Sequence, residues 1–368
     1  VYVYNFTTSG GCTNTQNVSV IVNPTPIFSS STATTSICSG DLFTYSPQSI
    51  TGGYTTRWSR SIIPGIANAA ESGVGNISEK LINTTLANIS VDYNYSMTAN
   101  GCSSEQIITV IVKPVPVVLA KSATICSGAT FIVEPTLVPA GTKYTWAQPV
   151  SFPLNILTGV TGAGSTGNLE VNISKTLGNS SPTLSGTATY SVTPSTDGCF
   201  GNPFDVVVKV NPIPVIANAT LPAVCSGTAF SFVPTGIPST TVFSWGNPVI
   251  TPTAGLSGGT AQVNQSTISQ VLTMTNLLVN SAVYTVSPSA EGCSGNNFQL
   301  TVPVIPTPVV SNKELSVCSG VAFIVTPDSV PTGTTYTWIS PTQTPLGTIS
   351  GSSSQPSGQN NFSQTLEN

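Results

Sequence analysis

The chain has 368 residues, and nine Lys plus Arg stand against thirteen Asp plus Glu with no His at all. Charged residues make up 6% of it, about a quarter of the usual share. Without imidazole there is no Ser-His-Asp or Cys-His relay and no His-bearing zinc site. With a net charge of -4 and only Arg57 and Arg60 as arginines there is no basic track for a phosphate backbone. Catalytic, cofactor-binding and metal-binding residues are therefore not expected, and neither is a nucleic-acid partner. No apolar stretch approaches the roughly 20 residues that span a bilayer, so membrane insertion is not expected, and any export signal is expected to lie outside these residues. The hydrophobic share of 39%, carried by short alternating runs of Val, Ile, Thr, Tyr and Phe, predicts β structure.

Residues 1–23 read as the last two strands of a split module, Tyr2 to Phe6 and Val18 to Val22, separated by Gly11-Cys12 and closed by Pro24-x-Pro26. A complete unit then runs over 24–113, with Cys38-Ser-Gly near its start, Trp58 twenty residues on, and Gly101-Cys102 near its end. The same landmarks return over 114–211 (Cys126, Trp146, Cys199) and 212–305 (Cys225, Trp245, Cys293). Cys-Ser-Gly recurs at intervals of 88, 99 and 93 residues, and each Gly-Cys precedes a Pro-x-Pro by 12 or 13. In the second unit the strand signals are Val115 to Ile125, Thr130 to Val133, Lys143 to Trp146, Leu169 to Ile173, Ala188 to Thr193 and Asp205 to Val210. Residues 306–368 hold Cys318 and Trp338 and read as the first strands of a module lacking its last two.

This rhythm predicts an all-β tandem array of antiparallel sandwich domains, each of about 90 to 100 residues, joined by stiff Pro-x-Pro borders into an extended rod. Tyr190 and Val192 share one face by the period of two, as do Tyr284 and Val286, and that face is expected to be the core on which Trp58, Trp146, Trp245 and Trp338 pack. The two end fragments are complementary. Either they are the cut ends of a longer array, or the first two strands of one copy complete the unfinished sandwich of a neighbouring copy.

Eight cysteines in two spaced families, with no C-x-x-C, read as structural disulfides of an oxidising compartment. Pairing inside a module would join Cys38 to Cys102, Cys126 to Cys199 and Cys225 to Cys293, leaving Cys12 and Cys318, and this scheme is the first expectation. Its difficulty is distance, because the first turn and the last hairpin of a simple sandwich lie at opposite ends. The alternative joins each Gly-Cys to the Cys-Ser-Gly of the preceding module, for example Cys199 to Cys38, and pairing across a border, Cys102 to Cys126, is a third scheme.

Gly162-Ala-Gly-Ser-Thr-Gly167 matches the dinucleotide pattern G-x-G-x-x-G, but the next residues, Asn168-Leu-Glu-Val-Asn172, alternate like a strand where the fingerprint needs a helix. Carboxylates are scattered without a D-x-D-x-D cluster, and the acidic residues before Gly-Cys, Asp197 and Glu291, suit a turn. Asn-x-Ser/Thr tripeptides such as Asn83, Asn179 and Asn264 arise from a composition rich in Ser, Thr and Asn.

Taken together, C-S-G, Y-x-W, Y-x-V-x-P-x-x-x-G-C and V-x-V-x-x-P-x-P resemble the PKD-like and immunoglobulin-like tandem repeats of giant surface adhesins in the Bacteroidota, the gliding-motility type exported by the type IX system. The resemblance covers the whole chain. It implies a non-enzymatic structural or adhesive segment of a secreted, extracellular cell-surface or filament-forming protein. The implied partners are neighbouring copies of itself, further repeats of the same chain, and surface glycans. It also makes Asp328-Ser329-Val330 similar to the short O-glycosylation signal of that phylum. The rival reading is a set of spacer modules in a secreted glycan- or protein-degrading enzyme.

Overall fold

The computed structural model describes residues 1–162, 170–252 and 254–368. Among them every regular element is a strand. A hairpin of β1 (Tyr2–Thr7) and β2 (Thr13–Val18) comes first. The first complete module contains β3 (Thr35–Cys38), β4 (Leu42–Tyr45), β5 (Thr55–Arg60), β6 (Glu71–Val74), β7 (Ile77–Lys80), β8 (Ile89–Ala99) and β9 (Cys102–Lys113). One sheet has the order β3-β9-β8-β5-β6 and the other pairs β4 with β7.

Alternation builds the core. Along β8, Val91, Tyr93, Tyr95, Met97 and Ala99 are buried while Asp92, Asn94 and Thr98 face outward. Val91, Tyr93 and Tyr95 cluster with Trp58 of β5, Ile108, Val110 and Val112 of β9, and Phe43 and Ile77 from the smaller sheet, so the two sheets enclose one core. The β8–β9 hairpin closes on Asn100 and Gly101, both at positive φ (51° and 83°), the two-residue turn whose twist matches the strands. Asp197-Gly198 and Glu291-Gly292 repeat it, which assigns those two carboxylates to a turn position.

The third module repeats the plan. Val242–Trp245, Asn280–Ala290 and Phe298–Ile305 are neighbours in one sheet, and Ala229–Phe232 pairs with Ile268–Val271 in the other. In the second, Lys143–Trp146, Gly186–Thr196, Phe204–Asn211 and Lys121–Cys126 adjoin in that order, and Thr130–Val133 pairs with Ile173–Thr176. Contacts group the chain into two compact units. One comprises Val1–Thr124, Thr130–Leu177 and Thr187–Lys209; the other comprises Ile125–Ala129, Gly178–Gly186 and Val210–Asn368.

Three expected strands move. The one placed at Val115 to Ile125 is confined to Lys121–Cys126, since Pro114 and Pro116 remove donors ahead of it. The one placed at Leu169 to Ile173 becomes Ile173–Thr176, and residues 163–169, with most of the G-x-G-x-x-G match, lie outside the described residues. The one placed at Val18 to Val22 becomes Thr13–Val18. In the first module the matching stretch, Val110 to Lys113, is held by β3, which residues 1–23 do not contain.

Candidate functional site: the stapled joints

The strand ahead of Cys-Ser-Gly runs parallel to the last strand of its module. Cys38 stands opposite Lys113, and Cys225 opposite Ile305. The next serine ties the turn down: Ser39 N donates to Lys113 O at 2.8 Å, Ser127 N to Asn211 O at 2.9 Å and Ser226 N to Ile305 O at 2.8 Å. Each Cys-Ser-Gly therefore sits where its module ends. The Gly-Cys hairpin sits at the opposite pole, because β9 runs the twelve residues from Cys102 to Lys113. At ~3.3 Å per residue that is roughly 36 Å, far beyond the ~7 Å between Cα atoms that a disulfide tolerates.

The structure accordingly joins Cys38 to Cys199 and Cys126 to Cys293, with Cα atoms 5.5 Å apart in each pair. Pairing inside a module, the first expectation, is replaced by stapling to the following module. The parallel first strand is the reason, since it carries Cys-Ser-Gly to the trailing pole. Of the other disulfide candidates, Cys12, Cys225 and Cys318 are exposed thiols and Cys102 is a half-buried one.

Polar contacts repeat around each joint. Lys113 Nζ donates to Asp197 O at 3.0 Å, and Asn211 Nδ2 donates to Glu291 O at 3.1 Å. The border after residue 23 has the same contact: Asn23 Nδ2 donates to Asn100 O at 2.9 Å, and the Cys102 thiol lies 3.6 Å from Asn23 O. Two glycines outside the repeat landmarks shape the joints. A Cβ on Gly201 would collide with the backbone oxygen of Pro116, and one on Gly295 with that of Pro214, so each lets the Pro-x-Pro segment lie against its own hairpin. Their signal is a Gly two positions after Cys199 and Cys293.

Inside the modules one position varies in chemistry while its surroundings persist. Tyr93, Tyr190 and Tyr284 are fully buried, each against a Phe (Phe43, Phe131, Phe230) at 5.3–5.6 Å and a Trp (Trp58, Trp146, Trp245) at 5.7–6.4 Å. The residue paired with that Phe across the small sheet is Glu79, Lys175 or Gln270. Tyr93 donates to Glu79 Oε2 at 2.6 Å and Tyr284 to Gln270 Oε1 at 2.8 Å. Lys175 instead lies over Trp146, 5.9 Å from the ring centre, and the Tyr190 hydroxyl has no partner among the described residues.

Glu79 also receives the buried Arg60, whose Nε donates to Oε2 at 3.0 Å and whose Nη2 donates to Oε1 and to Ala69 O. Burial works against the guanidinium's charge, yet the Glu79 carboxylate outweighs it and the Arg60 pKa is raised. Burial, reinforced by Glu79, also holds the Tyr93 pKa well above the usual phenol value. Burial alone pushes Tyr190 up to about 12.

Residues near both ends of the chain are exposed at positions whose counterparts in the other modules are buried. Tyr2, Tyr4 and Phe6 are 64%, 52% and 52% exposed. Tyr2 stands opposite Val18 and Tyr4 opposite Gln16, as Tyr93 stands opposite Ile108 and Tyr95 opposite Gln106. At the other end Val310, Leu315, Val317, Phe323, Val325, Phe362 and Leu366 line an open groove of about 600 Å³. Trp338, half-buried where Trp58, Trp146 and Trp245 are buried, packs edge-on to Phe362 at 4.6 Å.

Among the described residues no three His, Cys, Asp or Glu side chains gather closely enough to hold a metal ion. Residues 123–214 and 222–308 match the family model described as the PKD-like domain. The model thus matches in two tandem copies. No curated protein matches the chain. Solved structures that it resembles include human CDH23 EC21-23, at 14% identity and a TM-score of 0.32, covering 77% of this chain and 100% of that one. The four immunoglobulin domains 1-4 of Sidekick-1 align at 9% identity and a TM-score of 0.25, covering 93% of this chain and 91% of that one. An endo-fucoidan hydrolase of glycoside hydrolase family 107, MfFcnA4, aligns at 11% identity and a TM-score of 0.20 over 73% of this chain, which spans 42% of the hydrolase chain.

Proposed function

We propose that the chain is a non-enzymatic, force-resisting repeat segment of a secreted bacterial cell-surface or filament-forming protein, an adhesive or structural stalk of the gliding-motility adhesin kind. The observation that carries this reading is the interlocked pair of staples. Cys38–Cys199 and Cys126–Cys293 enclose overlapping stretches of chain. The shortest covalent route between residues 1 and 368 runs to Cys38, across to Cys199, back to Cys126, across to Cys293 and onward. That is about half of the backbone, at ~3.5 Å per extended residue. A tether built this way keeps its reach under load even when a module opens. Disulfides persist in oxidising compartments, which supports an extracellular location, and a surface with few charges and many Ser, Thr and Asn suits glycan contact or packing against further repeats. Strand exchange with neighbouring copies is part of this reading.

Single-molecule pulling on residues 1 to 368 tests it. The oxidised chain is expected to reach about half the contour length of the reduced chain. Equal lengths in the two states would remove the basis for a mechanical role.

A further inference from the structure

Asn100-Gly101 is the one Asn-Gly pair in the chain. It forms the tip of the β8–β9 hairpin, between the opposed residues Ala99 and Cys102. Both residues are exposed, and the space beside Gly101 is open. The Asn100 side-chain amide has no hydrogen bond among the described residues, whereas its main-chain carbonyl is clasped: Asn23 Nδ2 donates to Asn100 O at 2.9 Å. At the same turn position the next two modules carry acids, Asp197 and Glu291, which have no amide to lose.

We infer that Asn100 is a self-modifying site, converted to aspartate and isoaspartate by its own neighbour Gly101, and that the Asn23 clasp sets how fast this happens. The Gly101 amide nitrogen attacks Asn100 Cγ. The N–Cγ bond forms as the Cγ–Nδ2 bond breaks, and the Gly101 proton leaves with the NH2 group as ammonia. One water then opens the cyclic imide. Cleavage between nitrogen and Cγ yields aspartate, and cleavage between nitrogen and the Asn100 main-chain carbonyl carbon yields isoaspartate. Water is the only co-reactant.

Turn geometry supplies the control. Asn100 and Gly101, at φ 51° and 83°, form a type I′ turn, in which the first residue has ψ of about +30°. That angle puts the Gly101 nitrogen on the far side of Cα from the Asn100 side chain, so the resting turn does not react. Flipping the peptide between the two residues gives a type II′ turn, with ψ of about −120°. The nitrogen then eclipses Cβ, the arrangement that closes a five-membered ring with Cγ. Both turns close a two-residue hairpin, so β8 and β9 stay paired through the flip. Type II′ prefers Gly at its first position, which keeps the reactive form a minor state.

The Asn100 carbonyl belongs to the peptide that flips. Turning it breaks the bond from Asn23, so a closed border holds the turn in its unreactive form and an opened border releases it. Isoaspartate adds one atom to the main chain of the turn, and a border that has opened thereby keeps a lasting chemical mark. Lys113 and Asn211 clasp the same carbonyl at Asp197 and Glu291, where no amide can leave.

The test compares the full chain with its Asn23→Ala variant, each warmed at neutral and at mildly alkaline pH, digested and mapped by mass spectrometry. Asn100 is expected to convert ahead of every other asparagine, to give aspartate and isoaspartate together, and to react faster at the higher pH, because the attacking nitrogen must lose its proton. Asn23→Ala should speed the conversion about two- to tenfold, the range that one neutral hydrogen bond covers. Asn100→Gln, a longer side chain at a position where Glu291 is accommodated at φ 48°, should abolish it. Equal hydrogen exchange in Ile89–Ala99 verifies that Asn23→Ala leaves the hairpin folded. If it does not, Asn23→Asp, which keeps the shape and removes the donor, makes the same comparison. An Asn100 that survives in the folded chain, a product of aspartate alone, or equal rates with and without the Asn23 donor would overturn the inference.

Discussion

Replacing the core tyrosine by Phe at the same position of three modules should give three different outcomes, because the hydroxyl faces different chemistry in each. Tyr93→Phe removes a bond to a carboxylate that is also paired with a buried Arg60, and bonds to charged groups contribute about 1.5–3 kcal/mol. Tyr284→Phe removes a neutral bond to Gln270, a loss of ~1 kcal/mol. Tyr190→Phe removes a fully buried hydroxyl with no partner among the described residues. It should leave the module unchanged or stabilise it by up to ~1 kcal/mol, since a buried polar group without a bond carries a desolvation cost. Ring packing is kept in all three. Hydrogen exchange read by mass spectrometry, strand by strand in the full chain, reports each module separately. At about tenfold per 1.4 kcal/mol, exchange in Ile89–Ala99 should quicken roughly ten- to a hundredfold in Tyr93→Phe. Exchange in Asn280–Ala290 should quicken about fivefold in Tyr284→Phe, and in Gly186–Thr196 it should slow or hold in Tyr190→Phe. A Tyr190→Phe variant losing more than Tyr284→Phe would refute the reasoning.

Glu79→Ala strands the buried Arg60 charge and is expected to destabilise the first module by about 3–5 kcal/mol, whereas Arg60→Met/Glu79→Leu should recover most of that in a denaturant series. The Tyr190 pKa, about 12 when folded, lies above the ordinary phenol value near 10, so its protonated form contributes stability that is complete below pH 10 and disappears as pH rises to 12. The second module should therefore lose about 3 kcal/mol over that window, and Tyr190→Phe should flatten the loss in pH-dependent exchange. Gly201→Ala drives a methyl into the Pro116 carbonyl and should cost ~1–3 kcal/mol, read as a lower unfolding midpoint and faster exchange in 186–196.

Much of the fold was legible because its signals are local. Thr130 to Val133 and Lys143 to Trp146 were bounded correctly from turn residues and β-formers alone. The alternating Tyr-x-Val face was readable from the period of two, and the module repeat from its Cys, Trp and Pro landmarks. What escaped was non-local. Nothing in Thr35 to Cys38 announces a parallel partner more than 70 residues away, yet that pairing decides which pole Cys38 occupies and hence which cysteine it meets. The Glu79, Lys175 and Gln270 series follows Ile-Ser in all three modules, but an acid, a base and an amide share the position, and only the pairing with Phe across the small sheet shows that it faces the core Tyr. Val20 to Val22 has strand composition, but a strand also needs a neighbour.

The central claim is that one sandwich has been copied along the chain and each copy is bolted to the next. Enzymatic digestion of the unreduced protein, with mass spectrometry of the linked peptides, addresses it most directly. The account predicts Cys38 bound to Cys199 and Cys126 bound to Cys293. Recovery of Cys38 with Cys102, or of Cys126 with Cys199, would contradict it.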